Sequence, residues 1–234
     1  GKIKKKPLHE LWALNTNQSP VCDYTIGIDR IEKMKAKIKE KPWPIYKIKV
    51  GVENDLEIIA ALRKVTPAVF RVDANAGWTL KQALEKIPVL KEFGVELVEQ
   101  PLAKDDWEGM KTLFSQSPLP LIADESCVAE DDVDKCHNHF HGINIKLTKC
   151  SGITPARRMI DRARDLNMKV MIGCMNESSV GTAAIAQLAP LLDYVDMDGP
   201  LLLTEDIADG VTFNYGNIIY PSGNGLCINM HPWE

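Results

Sequence analysis

Three carboxylates, Asp73, Glu99 and Asp124, follow one another at near-equal intervals, each at the end of a short apolar run. Lysines stand in the same relation to two other runs, as the pair Lys47 and Lys49 and as Lys146. Asp196 and Asp198 close the last of these runs. Carboxylates brought together repel unless a cation lies between them, and an all-oxygen donor set selects a hard ion, Mg²⁺ or alternatively Mn²⁺, over zinc. Lysines on opposite sides of such a centre suit an acid and a base working on the two faces of one carbon. A carboxylate substrate held at the cation would have its α-proton made removable, because the charge of the resulting ene-diolate is stabilised there. Asp196 and Asp198 would then hold a cationic group at the other end of the substrate. A dipeptide has both features, a C-terminal carboxylate and an α-ammonium. Taken singly, each acidic residue has a plainer reading: Asp73 or Asp124 could cap the next helix, and one aspartate of the last pair could cap the turn at Gly199-Pro200.

Such chemistry requires elements that deliver every run to one place. The runs are Tyr24–Asp29, Tyr46–Gly51, Val69–Asn75, Val95–Pro101, Leu119–Ser126, Gly142–Leu147, Lys169–Met175 and Tyr194–Asp198. Several are nearly continuous in apolar residues, as in strands covered on both faces. Between them, Arg30–Glu40 and Asp55–Lys64 show helical three- and four-residue spacing. Thr79–Glu92 opens on a capping residue, Thr154–Leu166 has Pro155 in its first turn, and Ser178–Ala189 is rich in alanine. Helix-length connections imply parallel strands, and eight such units close into a TIM-type α/β barrel with outer helices. In that fold the C-terminal strand ends carry the chemistry. Lys47 and Lys49, two apart, share one strand face, and the second and sixth strands lie opposite each other in a ring of eight. The expected organisation is a lead-in over 1–23, a catalytic barrel over 24–203 and a tail over 204–234 packing on the barrel as loops and short strands.

The balance of 28 basic against 32 acidic residues leaves a net charge of −4, which argues against a nucleic-acid surface. No apolar stretch approaches the roughly 18 residues that span a bilayer, and no membrane partner is expected. Six cysteines without CxxC spacing read as free thiols in a reducing cytoplasm. The apolar residues of the outer helices are compatible with a homo-oligomer without identifying an interface.

The ordered set Lys47-Ile48-Lys49, Asp73-Ala74-Asn75, Glu99-Gln100-Pro101, Asp124-Glu125-Ser126 and Asn144-Ile145-Lys146-Leu147 resembles the enolase superfamily and, within it, the muconate-lactonizing subgroup. Gly173–Ser179 and Asp196–Pro200 resemble the dipeptide epimerases of that subgroup. The resemblance implies a modified (β/α)7β barrel, Mg²⁺ on Asp73, Glu99 and Asp124, and Lys49 and Lys146 as the two acid/base catalysts. It implies substrate contacts at Lys47, Asn75, Met175, Asp196 and Asp198, inversion at the α-carbon of the second residue of a dipeptide such as L-Ala-L-Glu, and a place in recycling cell-wall peptides. Family members carry an N-terminal capping domain, so Gly1–Asp23 reads as a remnant of the junction with one. Ser151 stands where a Gly-Gly pair is usual.

Other reactions of the scaffold, o-succinylbenzoate synthesis or muconate cycloisomerisation, would use the same metal and lysines but have no ammonium for Asp196 and Asp198. A non-catalytic metal-binding barrel is the alternative outside enzymes. Of the remaining polar residues, Lys149 reads as a solvated or anion-steering charge, Arg71 as a structural ion pair, and His137, His139 and His141 as a surface loop. Glu125 is expected to point away from the metal face, with a hydrogen-bonding role near Lys146 as the alternative.

Overall fold

A computed structural model describes residues 1–232 of the chain. Eight strands alternate with helices: β1 (Tyr24–Ile26), β2 (Ile45–Lys49), β3 (Val69–Asp73), β4 (Val95–Glu99), β5 (Leu121–Ala123), β6 (Gly142–Ile145), β7 (Lys169–Gly173) and β8 (Tyr194–Asp196). They form one parallel sheet in chain order. The residues just before β1 close it, because Cys22 bridges Val195 and the Asp23 N–H donates to the Val195 carbonyl at 3.3 Å. A short helix α1 (Leu8–Leu11) precedes the barrel. The seven crossover helices are α2 (Ile31–Glu40), α3 (Asp55–Arg63), α4 (Leu80–Glu92), α5 (Trp107–Gln116), α6 (Asp132–Cys136), α7 (Ile153–Asp165) and α8 (Ser179–Ala186). Seven helices among eight strands make the expected (β/α)7β barrel. After β8 come four short strands, β9 (Ala208–Asp209), β10 (Thr212–Asn214), β11 (Asn217–Ile219) and β12 (Asn229–Met230), paired as two small antiparallel ribbons.

Alternation along the strands sorts the side chains into two regions. Ile48, Val72, Val98, Ile145, Ile172 and Val195 are fully buried in the large core between sheet and helices. The residues between them point into the barrel. Low in the interior, Leu97, Ile122 and Met171 form a small separate apolar cluster against Tyr194. Two residues further along, at Glu99, Asp124 and Asp196, the interior turns polar, so the apolar plug lies beneath a charged mouth.

The helices start where local chemistry dictates. Thr79 and Gln82 form a reciprocal capping box at α4. Asp55, at the start of α3, is wholly buried and accepts from the Gly51 and Val52 N–H groups, the Trp78 indole and Lys86. That network ties the loop after β2 to the loop after β3. Gly51 makes the approach feasible: its φ is +110°, and a Cβ there would lie 2.8 Å from the Ala74 carbonyl oxygen.

The strands are shorter at their C-terminal ends than their apolar runs suggest. β3 stops at Asp73 and β5 at Ala123, so Asn75 and Asp124 lie in the loops. Beyond β3 and β4 the backbone curves, with Asn75, Ala76 and Gln100 at positive φ, which ends strand pairing there. α5 and α6 were not foreseen from periodicity; α6 has only five residues, too few to show a repeat. The His137–His141 run is the α6–β6 connection its sequence suggests, with its histidines half-buried against neighbours. His139 packs edge-on against Trp107 at 5.3 Å, and His141 stacks on Phe114 at 4.4 Å while its Nδ1 accepts from the Leu121 N–H.

Candidate active site

Lys49, Asp73 and Glu99 are the last residues of β2, β3 and β4, and the register pairs Lys49 with Asp73 and Asp73 with Glu99. Asp124 and Lys146 stand one residue beyond β5 and β6, and Asp196 ends β8. A cavity of about 480 Å³ opens here, within the usual range for small-molecule sites, with Thr25, Lys49, Lys146, Cys174, Asp196 and Asp198 among its lining. Lys47, Asn75, Asp124, Glu125, Lys149, Met175, Asn176 and Leu202 complete it. Asp73 and Glu99 are buried beneath them.

Lys47 is the hub. Only 2% exposed, its Nζ lies 2.8 Å from Glu99 Oε2, 2.8 Å from Asp196 Oδ2 and 3.1 Å from Asp73 Oδ2. Burial alone would favour its neutral form, but the three carboxylates outweigh it and hold the ammonium well above the usual lysine range. Lys49 Nζ donates to Asp73 Oδ2 at 2.6 Å and to Asn75 Oδ1 at 3.0 Å. Lys146 Nζ lies 2.9 Å from Asp124 Oδ2, and this contact keeps it charged above its ordinary value despite burial. Because β2 and β6 are four strands apart in the ring, Lys49 and Lys146 face the mouth from opposite sides.

The carboxylates respond unequally. At Asp73 burial opposes ionisation, but Lys47 and Lys49 more than offset it and hold the carboxyl well below its usual range. Asp124 is likewise lowered against burial by Lys146 and Lys149. Glu99 goes the other way, to about 7, raised by burial and then by the neighbouring Asp73 charge. Asp198 is raised to about 6 by burial and by Asp196.

Several positioning residues were not legible beforehand. Gln100 Oε1 accepts from the Asp124 and Ser126 N–H groups, and its amide donates to Ser126 Oγ and the Leu102 carbonyl, so it grips the loop that carries Asp124. Asn144, on β6, donates to Glu99 Oε1 at 2.8 Å. Asn75, at φ +43°, donates its N–H to Asp73 Oδ1. Lys149 is not a solvated charge: half-buried, its Nζ donates to Asp124 Oδ1 at 2.7 Å. Glu125 turns toward the mouth and accepts from Asn75 at 3.3 Å. Arg71 is the structural ion pair it resembled, buried between Asp23 at 2.9 Å and Glu96 at 2.7 Å. Met175 stands at the rim, half-exposed.

Two acidic groups could be weighed for a metal. Among the described residues, Cys174, Asp196 and Asp198 are the three whose donor atoms all lie within 4.8 Å of one another. Burial and the two aspartates push the Cys174 thiol far above its ordinary value, and a thiol suits softer ions than carboxylate oxygens do. Asp73, Glu99 and Asp124 are less tightly gathered, with lysines between them, but offer an all-oxygen, deeply buried donor set on three consecutive strands. That donor set fits a hard divalent cation.

Residues 29–234 match the family model described as "Enolase C-terminal domain-like". An L-Ala-D/L-amino acid epimerase of Maribacter sp. is 56% identical over 233 residues, which is 98% of this chain and 69% of that protein. A crystal structure of a dipeptide epimerase from Enterococcus faecalis V583 complexed with Mg and the dipeptide L-Leu-L-Tyr superposes with a TM-score of 0.89 at 33% identity, covering 96% of this chain and 67% of the other. A substrate-liganded L-Ala-D/L-Glu epimerase from Bacillus subtilis does so with a TM-score of 0.90 at 31% identity, covering 97% and 67%. By its barrel, by the order of charged residues around the mouth and by these matches, the chain belongs to the enolase C-terminal domain-like family.

Proposed function

We propose that this chain is the catalytic barrel of a Mg²⁺-dependent dipeptide epimerase that inverts the α-carbon of the second residue of a dipeptide such as L-Ala-L-Glu. The observation that carries this reading is the opposition of Lys49 and Lys146 across an acidic floor, with Asp196 and Asp198 at one end of the same cavity. The names of the similar epimerases agree with it.

In this reading Asp73, Glu99 and Asp124 hold Mg²⁺, or Mn²⁺ in its place. When bound, the cation supplies positive charge against the substrate carboxylate, which makes loss of the α-proton energetically accessible. Lys49 and Lys146 move the proton: one takes it from one face of the α-carbon and the other returns a proton to the opposite face. Lys47, pinned by three carboxylates, is fixed as a charge that orients the substrate carboxylate and takes no part in the transfer. Asp196 and Asp198 receive the α-ammonium, while Asn75 and Met175 line the path of the substrate. A cycloisomerase or succinylbenzoate synthase would leave that aspartate pair without a task. The six unpaired cysteines support a reducing, cytoplasmic setting, and cell-wall peptides are the natural source of such dipeptides. Among the described residues no helix is long and apolar enough to cross a membrane.

The test is incubation of the full-length protein with Mg²⁺ and a set of dipeptides in D₂O, beginning with L-Ala-L-Glu. Deuterium at the α-carbon of the second residue, abolished by EDTA, is the expected result. Absence of exchange with every dipeptide would remove the epimerase reading.

The aspartate pair also sets a pH dependence. An ammonium is held by ionised carboxylates, and Asp198 ionises only above about 6. The KM for unblocked dipeptides is therefore expected to fall as pH rises through about 6 and then to level off, with about a tenfold change per pH unit on the acid side. Steady-state kinetics between pH 5 and 8 on N-acetylated and free dipeptides would check this, since the acetylated series carries no ammonium and should lack the trend.

A further inference from the structure

The chain just before β1 contributes a carboxylate that the mechanism above leaves unused. Asp23 is fully buried at the seam where the barrel closes on β8. Its Oδ2 accepts from Arg71 Nη1 at 2.9 Å, and its Oδ1 has no hydrogen-bond partner among the described residues. On the other side of the seam, Asp196 Oδ2 accepts from Lys47 at 2.8 Å, while Asp196 Oδ1 is also buried without a partner. The Asp23 N–H donates to the carbonyl of Val195, the residue before Asp196, which brings the two carboxyl groups together at the seam.

Two ionised carboxylates in contact inside a protein repel strongly, and an orphan buried acceptor on each adds a desolvation cost. One proton between them resolves both problems at once. The surroundings decide which residue carries it. Asp23 is faced by Arg71, Lys47, Asp196, Asp198 and the Cys22 thiol. Arg71, its direct cationic partner, is shared with Glu96. Asp196 is faced by Lys47, Lys146, Asp23, Asp198 and Cys174, and it holds Lys47 directly. Both cations are shared, Arg71 with Glu96 and Lys47 with Asp73 and Glu99, but Asp196 also lies in the field of Lys146. Burial and the Asp196 charge push the Asp23 carboxyl well above its usual range, while Lys47 keeps Asp196 below its own.

We infer that Asp23 carries a proton that it donates to Asp196 Oδ1, and that this bond fixes the Asp196 carboxylate in the orientation in which it receives the substrate's ammonium. Asp23 is thus a positioning residue for substrate recognition. The inference rests on the reading that Asp196 and Asp198 bind an ammonium. A carboxylate has lone pairs for about four hydrogen bonds, so Asp196 can hold Lys47, accept from Asp23 and still face the cavity.

The experiment compares Asp23→Ala, Asp23→Asn and Asp196→Ala in the full-length protein with Mg²⁺ and L-Ala-L-Glu. An asparagine amide can donate to Asp196 while its carbonyl accepts from Arg71, so Asp23→Asn should keep KM and kcat within about threefold of the parent. Asp23→Ala should raise KM by about tenfold or more with kcat changed far less, as expected for loss of a hydrogen bond to a charged group. A parental KM in Asp23→Ala, or an Asp23→Asn no better than Asp23→Ala, would overturn the positioning role, provided Asp196→Ala does raise KM. An unchanged KM in Asp196→Ala would instead overturn the ammonium reading and the positioning role with it. Should Asp23→Ala fail to fold, the infrared difference between parent and Asp23→Asn at pH 7 decides the shared proton. A protonated-carboxyl stretch lost in Asp23→Asn supports it, and no such band overturns it.

Discussion

Replacing Lys146 by alanine is expected to abolish interconversion of the two α-epimers, with kcat lowered by about 10³-fold or more, the upper part of the range for loss of a general acid or base. Lys49→Ala should do the same. Inversion requires a proton to leave by one face and return by the other, and the two lysines approach the mouth from β2 and β6, on opposite sides of the ring. The sharper expectation concerns isotope exchange. Each variant keeps one lysine, so each should still exchange the α-hydrogen of one epimer with solvent deuterium, with retention, and the two variants should favour opposite epimers. Chiral chromatography coupled to mass spectrometry reads both quantities. A Lys146→Ala protein that still epimerises at a rate near the parent's would exclude this lysine from the chemistry.

The fold should tolerate these changes. Removing Lys146 leaves Asp124 paired with Lys149 at 2.7 Å, and removing Lys49 leaves Asp73 in contact with Lys47 at 3.1 Å. Among the described residues Lys47 has no such understudy for Asp196, whose one cationic contact goes when Lys47 is removed. Breaking a buried ion pair by deleting one partner costs about 3–5 kcal/mol, so Lys47→Ala should mainly unfold the protein, in contrast to Lys49→Ala and Lys146→Ala.

Withdrawal of divalent metal is expected to have an effect as large as loss of either lysine. After EDTA treatment, epimerisation and α-exchange should both fall to background, and Mg²⁺ or Mn²⁺ should restore them. Burial and the Asp73 charge act against ionisation of Glu99, and a cation shared by Asp73, Glu99 and Asp124 would offset that repulsion. The same linkage has a readout apart from activity. A ligand that binds only the folded protein stabilises it by about 2.7 kcal/mol at one hundred times its Kd, so Mg²⁺ should raise the melting temperature of the parent. It should raise that of Asp124→Asn far less. A melting temperature indifferent to Mg²⁺ in the parent would reject the three carboxylates as its site.

Much of this architecture is written locally. An apolar run followed by a charged residue marks a covered strand and its exposed end, and two-residue alternation places Lys47 with Lys49 and Asp196 with Asp198. Those regularities depend only on neighbours in the chain, and eight of them in order imply the barrel and the convergence of Lys49, Asp73, Glu99, Asp124 and Lys146. The partnerships within the mouth have no local signal. Asn144 meets Glu99 across 45 positions, Lys47 meets Asp196 across 149, and Arg71 meets Asp23 across 48. Asp23 belonged, by pattern, to the lead-in ahead of the first strand; only closure of the ring against β8 sets it beside Asp196. Lys149 looked like one surface charge among many until the turn after Lys146 brought it onto Asp124. The strand ends, too, carry positive-φ residues such as Asn75 and Gln100, whose side chains hydrogen-bond to the loop after β5, at Glu125 and at Asp124 and Ser126. Local chemistry thus determined which residues reach the mouth, whereas closure of the barrel and the curvature of its loops decided which of them touch, because those contacts join segments whose spacing along the chain carries no period.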